Sequence, residues 1–74
     1  MELFNRVKEL RARYNMTQTD LAKAIGVSRQ TISLIERGDY APSVVLALKM
    51  AEVFHEPVEA IFSLKKDSGK ERTT

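Results

Sequence analysis

Arg29, Gln30, Ser33 and Arg37 are spaced so that a helix, turning about 100° per residue, gathers them on one exposed arc. Ile32 and Ile35 fall on roughly the opposite side. Thr31 and Leu34 sit at one edge of the polar arc and Glu36 at the other. Such an arc has a definite chemistry. Arginine pairs bidentately with O6 and N7 of guanine, glutamine pairs with N6 and N7 of adenine, and serine serves either. No nucleophile–base pair, phosphate-cradling loop or carboxylate dyad stands beside it, so the residues point away from catalysis.

The elements that must hold this arc are written around it. In QTDLAKAIGVSRQTISLIER, residues 18–37, Leu21, Ala22 and Ile25 pack one short helix, and Ile32 and Ile35 pack a second. Thr17 is a suitable N-cap for the first, with Asp20 placed to favour its positive end. Gly26 supplies the left-handed residue that stops it, and Ser28 caps the second. Small Ala22 lets the two cross closely. The pattern predicts a helix-turn-helix that offers its second helix to a major groove.

Around this pair, the spacing of Leu3, Phe4, Val7, Leu10 and Tyr14 predicts a first helix over about Asn5 to Arg13, broken at Asn15-Met16. Arg37-Gly38 is a helix stop, and Asp39 to Pro42 reads as a loop. Ser43 caps a fourth helix, Val44 to Phe54, apolar almost all round. That composition predicts burial on several sides at the centre of the bundle. Pro57 opens a short fifth helix to Phe62.

Seventy-four residues support one hydrophobic core and no separate effector domain. Without cysteine there is no disulfide framework or thiol nucleophile. One histidine and no paired ligand spacing argue against a metal site, and no cofactor is predicted. The charged start MELFNRVKEL and the lack of a membrane-length apolar run predict a soluble, cytoplasmic protein with no membrane partner. The net charge of +2 says little, but its distribution is polarised. Residues 1–37 carry seven basic and four acidic side chains, whereas residues 38–64 carry one and four. The candidate DNA-facing helices thus lie in the basic half. KKDSGKERTT, residues 65–74, is a polar tail predicted to be disordered, which leaves one domain over 1–64.

Gln18, Ala22, Gly26, Ile32 and Glu36, followed by Arg37-Gly38 and Pro42-Ser43, resemble the Cro/cI-type (XRE) helix-turn-helix domain of phage and bacterial repressors over about residues 4–64. SRQTI at 28–32, PSVVLALKMA at 42–51 and IF at 61–62 are similar to its small stand-alone five-helix members. The resemblance implies an all-α, five-helix bundle of the lambda-repressor-like DNA-binding type. It also implies a sequence-specific transcriptional regulator of double-stranded DNA, a repressor bound at an inverted-repeat operator. Arg29 and Gln30 then reach base edges, with Ser33 and Leu34 beside them. Leu34 either meets a thymine methyl or packs on its neighbours. Gln18 contacts a phosphate and braces the recognition helix, and Thr17, Thr31, Arg37, Tyr40 and Ser43 are further phosphate candidates. For Thr31 a packing role is the alternative, and for Arg37 an interaction with the helix dipole. Arg11 and Glu36 take the positions of an internal salt bridge. His55 stands where many relatives place glycine, so it must adopt a left-handed helix-ending conformation.

Members of this type pair, which implies a homodimer through Val58, Ile61, Phe62 and Leu64, joined by Phe54 and Val53. Ile61 and Phe62 have the alternative of closing the monomer core. The chain ends are expected to pair as a small sheet, Glu2 to Phe4 against Phe62 to Lys65. The alternative function is an antitoxin-type protein-binding module that also autoregulates its promoter. A toxin-neutralising segment would then lie outside the five-helix core, where only ten polar residues are available.

Overall fold

Each helix start in the centre of the chain carries a hydroxyl cap, and two of the three ends there carry a left-handed residue. The computed structural model describes residues 3–64 in the order β1 (Leu3–Asn5), α1 (Val7–Arg13), α2 (Gln18–Ile25), α3 (Arg29–Glu36), α4 (Val44–Phe54), α5 (Val58–Ile61) and β2 (Phe62–Leu64). The Thr17 hydroxyl accepts from the Asp20 amide at 3.0 Å, and the Asp20 carboxylate accepts from the Thr17 amide at 2.9 Å. Two orphan donors at the start of α2 are satisfied reciprocally. Ser28 and Ser43 cap α3 and α4 by accepting from Thr31 and Leu46, each at 3.1 Å. α2 ends at Gly26, φ 80°, and α4 at His55, φ 56° and ψ 43°, the conformation its position demands. Gly38, φ 82°, turns the chain just after α3.

α1 starts at Val7 rather than Asn5, because Asn5 belongs to a strand. β1 and β2 pair antiparallel, Leu3 opposite Leu64, Phe4 opposite Ser63 and Asn5 opposite Phe62. Glu2 and Lys65, expected in the same pairing, and the predicted tail lie outside the described residues. Asn5 also works at both ends of its side chain. Its Oδ1 accepts from the Val7 amide at 3.0 Å, and its Nδ2 donates to the Ile35 carbonyl at 3.0 Å. One residue thereby satisfies a donor at the start of α1 and a carbonyl at the end of α3.

The core comprises Val7 and Leu10 of α1, Leu21, Ala22 and Ile25 of α2, Ile32 and Ile35 of α3, Met50 and Phe54 of α4, and Ile61 of α5. α2 packs against both α3 and α4, and α4 packs against α2 and α5. α4 buries one face only. Ala47, Met50 and Phe54 point inward, while Val44, Val45 and Leu48 are 73, 60 and 54% exposed. Among the described residues nothing covers that outer side, so an apolar circumference alone does not predict which faces are buried. No described helix is long and apolar enough to cross a membrane. At the far end of α4 the Tyr14 hydroxyl donates to the Phe54 carbonyl at 2.9 Å, and the two rings stack with centroids 6.2 Å apart.

Candidate nucleic-acid interface

α3 presents Arg29 and Gln30 of the predicted arc, whereas Ser33, also expected on its exposed side, is half-buried and Arg37 lies just past the helix end. Ile32 and Ile35 are buried, Arg29 and Gln30 are exposed, and Thr31, Ser33 and Leu34 are half-buried at the margins. The Thr31 hydroxyl lies 3.0 Å from that of Ser28, so its nearest polar partner is local. Arg37, just past the end of α3, donates to the Asp39 carboxylate at 2.8 and 3.1 Å. Tyr40 is exposed in the following loop, and the Ser43 hydroxyl is engaged as the cap of α4.

Behind the arc, side chains from three helices form a connected polar cluster. Arg11 donates from Nε to Glu36 Oε2 at 2.6 Å, from Nη2 to Glu36 Oε1 at 3.2 Å, and from Nη1 to the Met16 carbonyl at 2.9 Å. The Glu36 side chain is only 7% exposed. Its carboxylate holds the Arg11 guanidinium charged and raises its pKa still further, mainly through the hydrogen bond between them. Glu36 Oε1 also accepts from Gln18 Nε2 at 3.1 Å, and Gln18 Oε1 accepts from Arg29 Nη1 at 3.1 Å. The chain of contacts therefore runs from α1, through the end of α3 and the first residue of α2, to the first residue of α3. A concavity in front of it is lined in part by Thr17, Gln18, Thr19 and Arg29. The guanidinium of Arg29 in this lining suits the hollow to an anion.

Hydrogen bonds from Thr17 hold the Asp20 carboxyl below its usual range, which keeps a negative charge at the N-terminus of α2. Two participants escaped the reading of the residues. Asn5 had a signal, an Asx residue just before a helix, but its long-range bond to Ile35 had none. Asp39 lies two residues beyond Arg37, close enough for a local ion pair to have been proposed.

The residues assigned to a subunit interface divide in two. Phe54 and Ile61 are fully buried in the monomer's own core and offer no surface to a partner, with α4 packed on α2 and α5 packed on α4. Val53 is packed against that core as well. Val58 and Phe62 are half-buried, and Leu64 is 57% exposed.

A family model described as helix-turn-helix matches residues 7–61. YgzD of Bacillus subtilis, described as an HTH-type transcriptional regulator, is 47% identical over 64 residues, spanning 86% of this chain and 97% of its own. An HTH-type transcriptional regulator of Methanocaldococcus jannaschii is 52% identical over 63 residues, spanning 85% and 96%. Among solved structures, the restriction-modification controller protein C.AhdI of Aeromonas hydrophila superposes with a TM-score of 0.69 at 31% identity, over 74% of this chain and 83% of that one.

Proposed function

Because this chain belongs to the XRE-type helix-turn-helix family of transcriptional regulators, we propose that it is a repressor that binds an inverted-repeat operator as a homodimer, with α3 of each copy in the major groove. The observation that supports this reading is the exposed pair Arg29 and Gln30 on a helix braced from behind by Gln18. Arg29 and Gln30 read base edges in this scheme, with Ser33 and Leu34 at the border of the contact. Gln18, Thr17, Thr31, Arg37, Tyr40 and Ser43 face phosphates. Arg37 reaches a phosphate by exchanging its partner Asp39 for it. The protein acts by occupying DNA rather than by chemistry on a substrate.

Pairing follows from reach. One recognition helix covers a single stretch of groove, and two of them about 34 Å apart read successive major grooves on one face of the duplex. Val58, Phe62 and Leu64 remain as the pairing surface once Phe54 and Ile61 are assigned to the core.

The test is selection of bound duplexes from a random pool, followed by gel-shift titration of variants on the selected site. A palindromic product is expected. Arg29→Ala and Gln30→Ala should each cost about 1–3 kcal/mol on the selected site and relax the preference at one base pair per half-site. Gln18→Ala should weaken binding to all sequences through the lost phosphate contact, with an added loss of preference at the base pair read by Arg29. If Arg29→Ala and Gln30→Ala both bind the selected duplex as the native chain does, α3 is not the reading helix.

A further inference from the structure

Glu36 does more than close a salt bridge, because of what it imposes on Gln18. A carboxylate only accepts hydrogen bonds and a guanidinium only donates them. Gln18 lies between one of each, 3.1 Å from Glu36 Oε1 and 3.1 Å from Arg29 Nη1. Only one orientation of its amide satisfies both neighbours, with Nε2 toward Glu36 and Oε1 toward Arg29. Turned over, the amide would set oxygen against oxygen and N–H against N–H. Glu36 cannot swing away to permit this. Its side chain is 7% exposed and held by two bonds from Arg11, which is itself tied to the Met16 carbonyl. We propose that Glu36 is a positioning residue for sequence recognition: by fixing the polarity of the Gln18 amide, it holds the Arg29 guanidinium in the orientation that reads a base.

The consequence is specific. Arg29 is exposed and long, and an unbraced arginine at a helix start samples many rotamers and reaches phosphates as readily as bases. Braced from Gln18, Nη1 of the guanidinium has a fixed partner, and its other donors are left for a base. A buried side chain that touches no DNA thereby sets the preference at a single base pair.

This inference rests on the proposed DNA reading, and one set of titrations separates the two. The quantity measured is discrimination, the ratio of dissociation constants for a selected duplex with one base pair replaced and for the selected duplex itself. Arg29→Ala identifies the pair concerned, where discrimination of roughly 5- to 150-fold should vanish. If it vanishes at no pair, the reading of Arg29 as a base contact fails. Glu36→Gln, whose amide can present a donor to Gln18, should cut discrimination severalfold at that same pair and leave it intact at pairs read by Gln30. Gln18→Leu removes the link while keeping Arg11 bonded to Glu36, and should do the same. The double variant should lose no more discrimination than Gln18→Leu alone, since both act through one contact. If Glu36→Gln fails to fold, Glu36→Asp keeps the charge for Arg11 but draws the carboxylate back from Gln18, with the same expected loss. Native discrimination at the Arg29 pair in the folded Glu36 variant or in Gln18→Leu overturns the proposal. So does a loss spread evenly over all base pairs, which is the mark of a merely structural role.

Discussion

Arg11 joins more of the molecule than any motif around it suggests. Its guanidinium has donors in several directions, and the structure uses three of them on Glu36 and the Met16 carbonyl. The first ties α1 to the end of α3, and the second fixes the chain as it enters α2. Neither partner can be lost cheaply, because the survivor would be left charged in a mostly buried site. Glu36→Ala should therefore lower unfolding stability by about 3–5 kcal/mol in an equilibrium urea titration. A loss below about 1 kcal/mol would mean that water takes the place of the missing carboxylate. Asp20 supplies a different residue-level prediction. Its carboxyl titrates lower in the folded chain than in the unfolded one, where it takes an ordinary value of about 3.9. It therefore contributes stability above that ordinary value, and the contribution is lost as pH falls through the lower folded value. Asp20→Asn should reduce the melting temperature at neutral pH and flatten its fall in acid. Parallel melting curves of the native chain and variant across the acid range would show that the cap bonds do not sense protonation.

At the scale of elements, starts and stops were the most legible feature, because a cap is a local interaction between residues two or three apart. Thr17, Ser28 and Ser43 all cap as their types predict. Thr17→Ala should cost about 1 kcal/mol of stability, measured by denaturant titration. His55 shows the limit of local preference. It holds φ 56° at the end of α4, where its Cβ opposes the conformation, while its ring meets Tyr14 edge-on at 6.4 Å. His55→Gly trades that ring contact for backbone freedom, and stability should rise by up to about 1 kcal/mol. A lower melting temperature would show that the ring contact outweighs the strain. α4 itself was misjudged from composition. An apolar circumference predicts burial all round, yet which faces are covered depends on how many neighbours the chain can supply. α1 starts two residues later than its spacing predicts because the small sheet, expected to end at Phe4, runs on to Asn5 opposite Phe62.

Among the described residues, exposed apolar side chains gather along α4 at Val44, Val45 and Leu48 and on the small sheet at Leu3, Phe4 and Leu64, with Tyr14 and Tyr40 exposed elsewhere. Exposed apolar clusters of this kind mark contact surfaces. On the proposed pairing through Val58, Phe62 and Leu64, sedimentation equilibrium should give the dimer mass for the native chain. Leu64→Asp should shift it toward the monomer and weaken operator binding in parallel. If Leu64→Asp stays dimeric while Leu48→Asp dissociates, the pairing surface belongs to α4. The amino-acid order alone settled the helix-turn-helix, its caps, its buried isoleucines and the pairing of Arg11 with Glu36, since these follow from period, local hydrogen bonding and family pattern. The burial of Phe54, the choice of the core over the interface for Ile61, the exposure of half of α4, and the run of bonds from Arg11 to Arg29 were decided by packing. Each depends on which side chains from distant segments arrive at one place, and a carboxylate's effect on an amide two helices away exists only once all three are folded together.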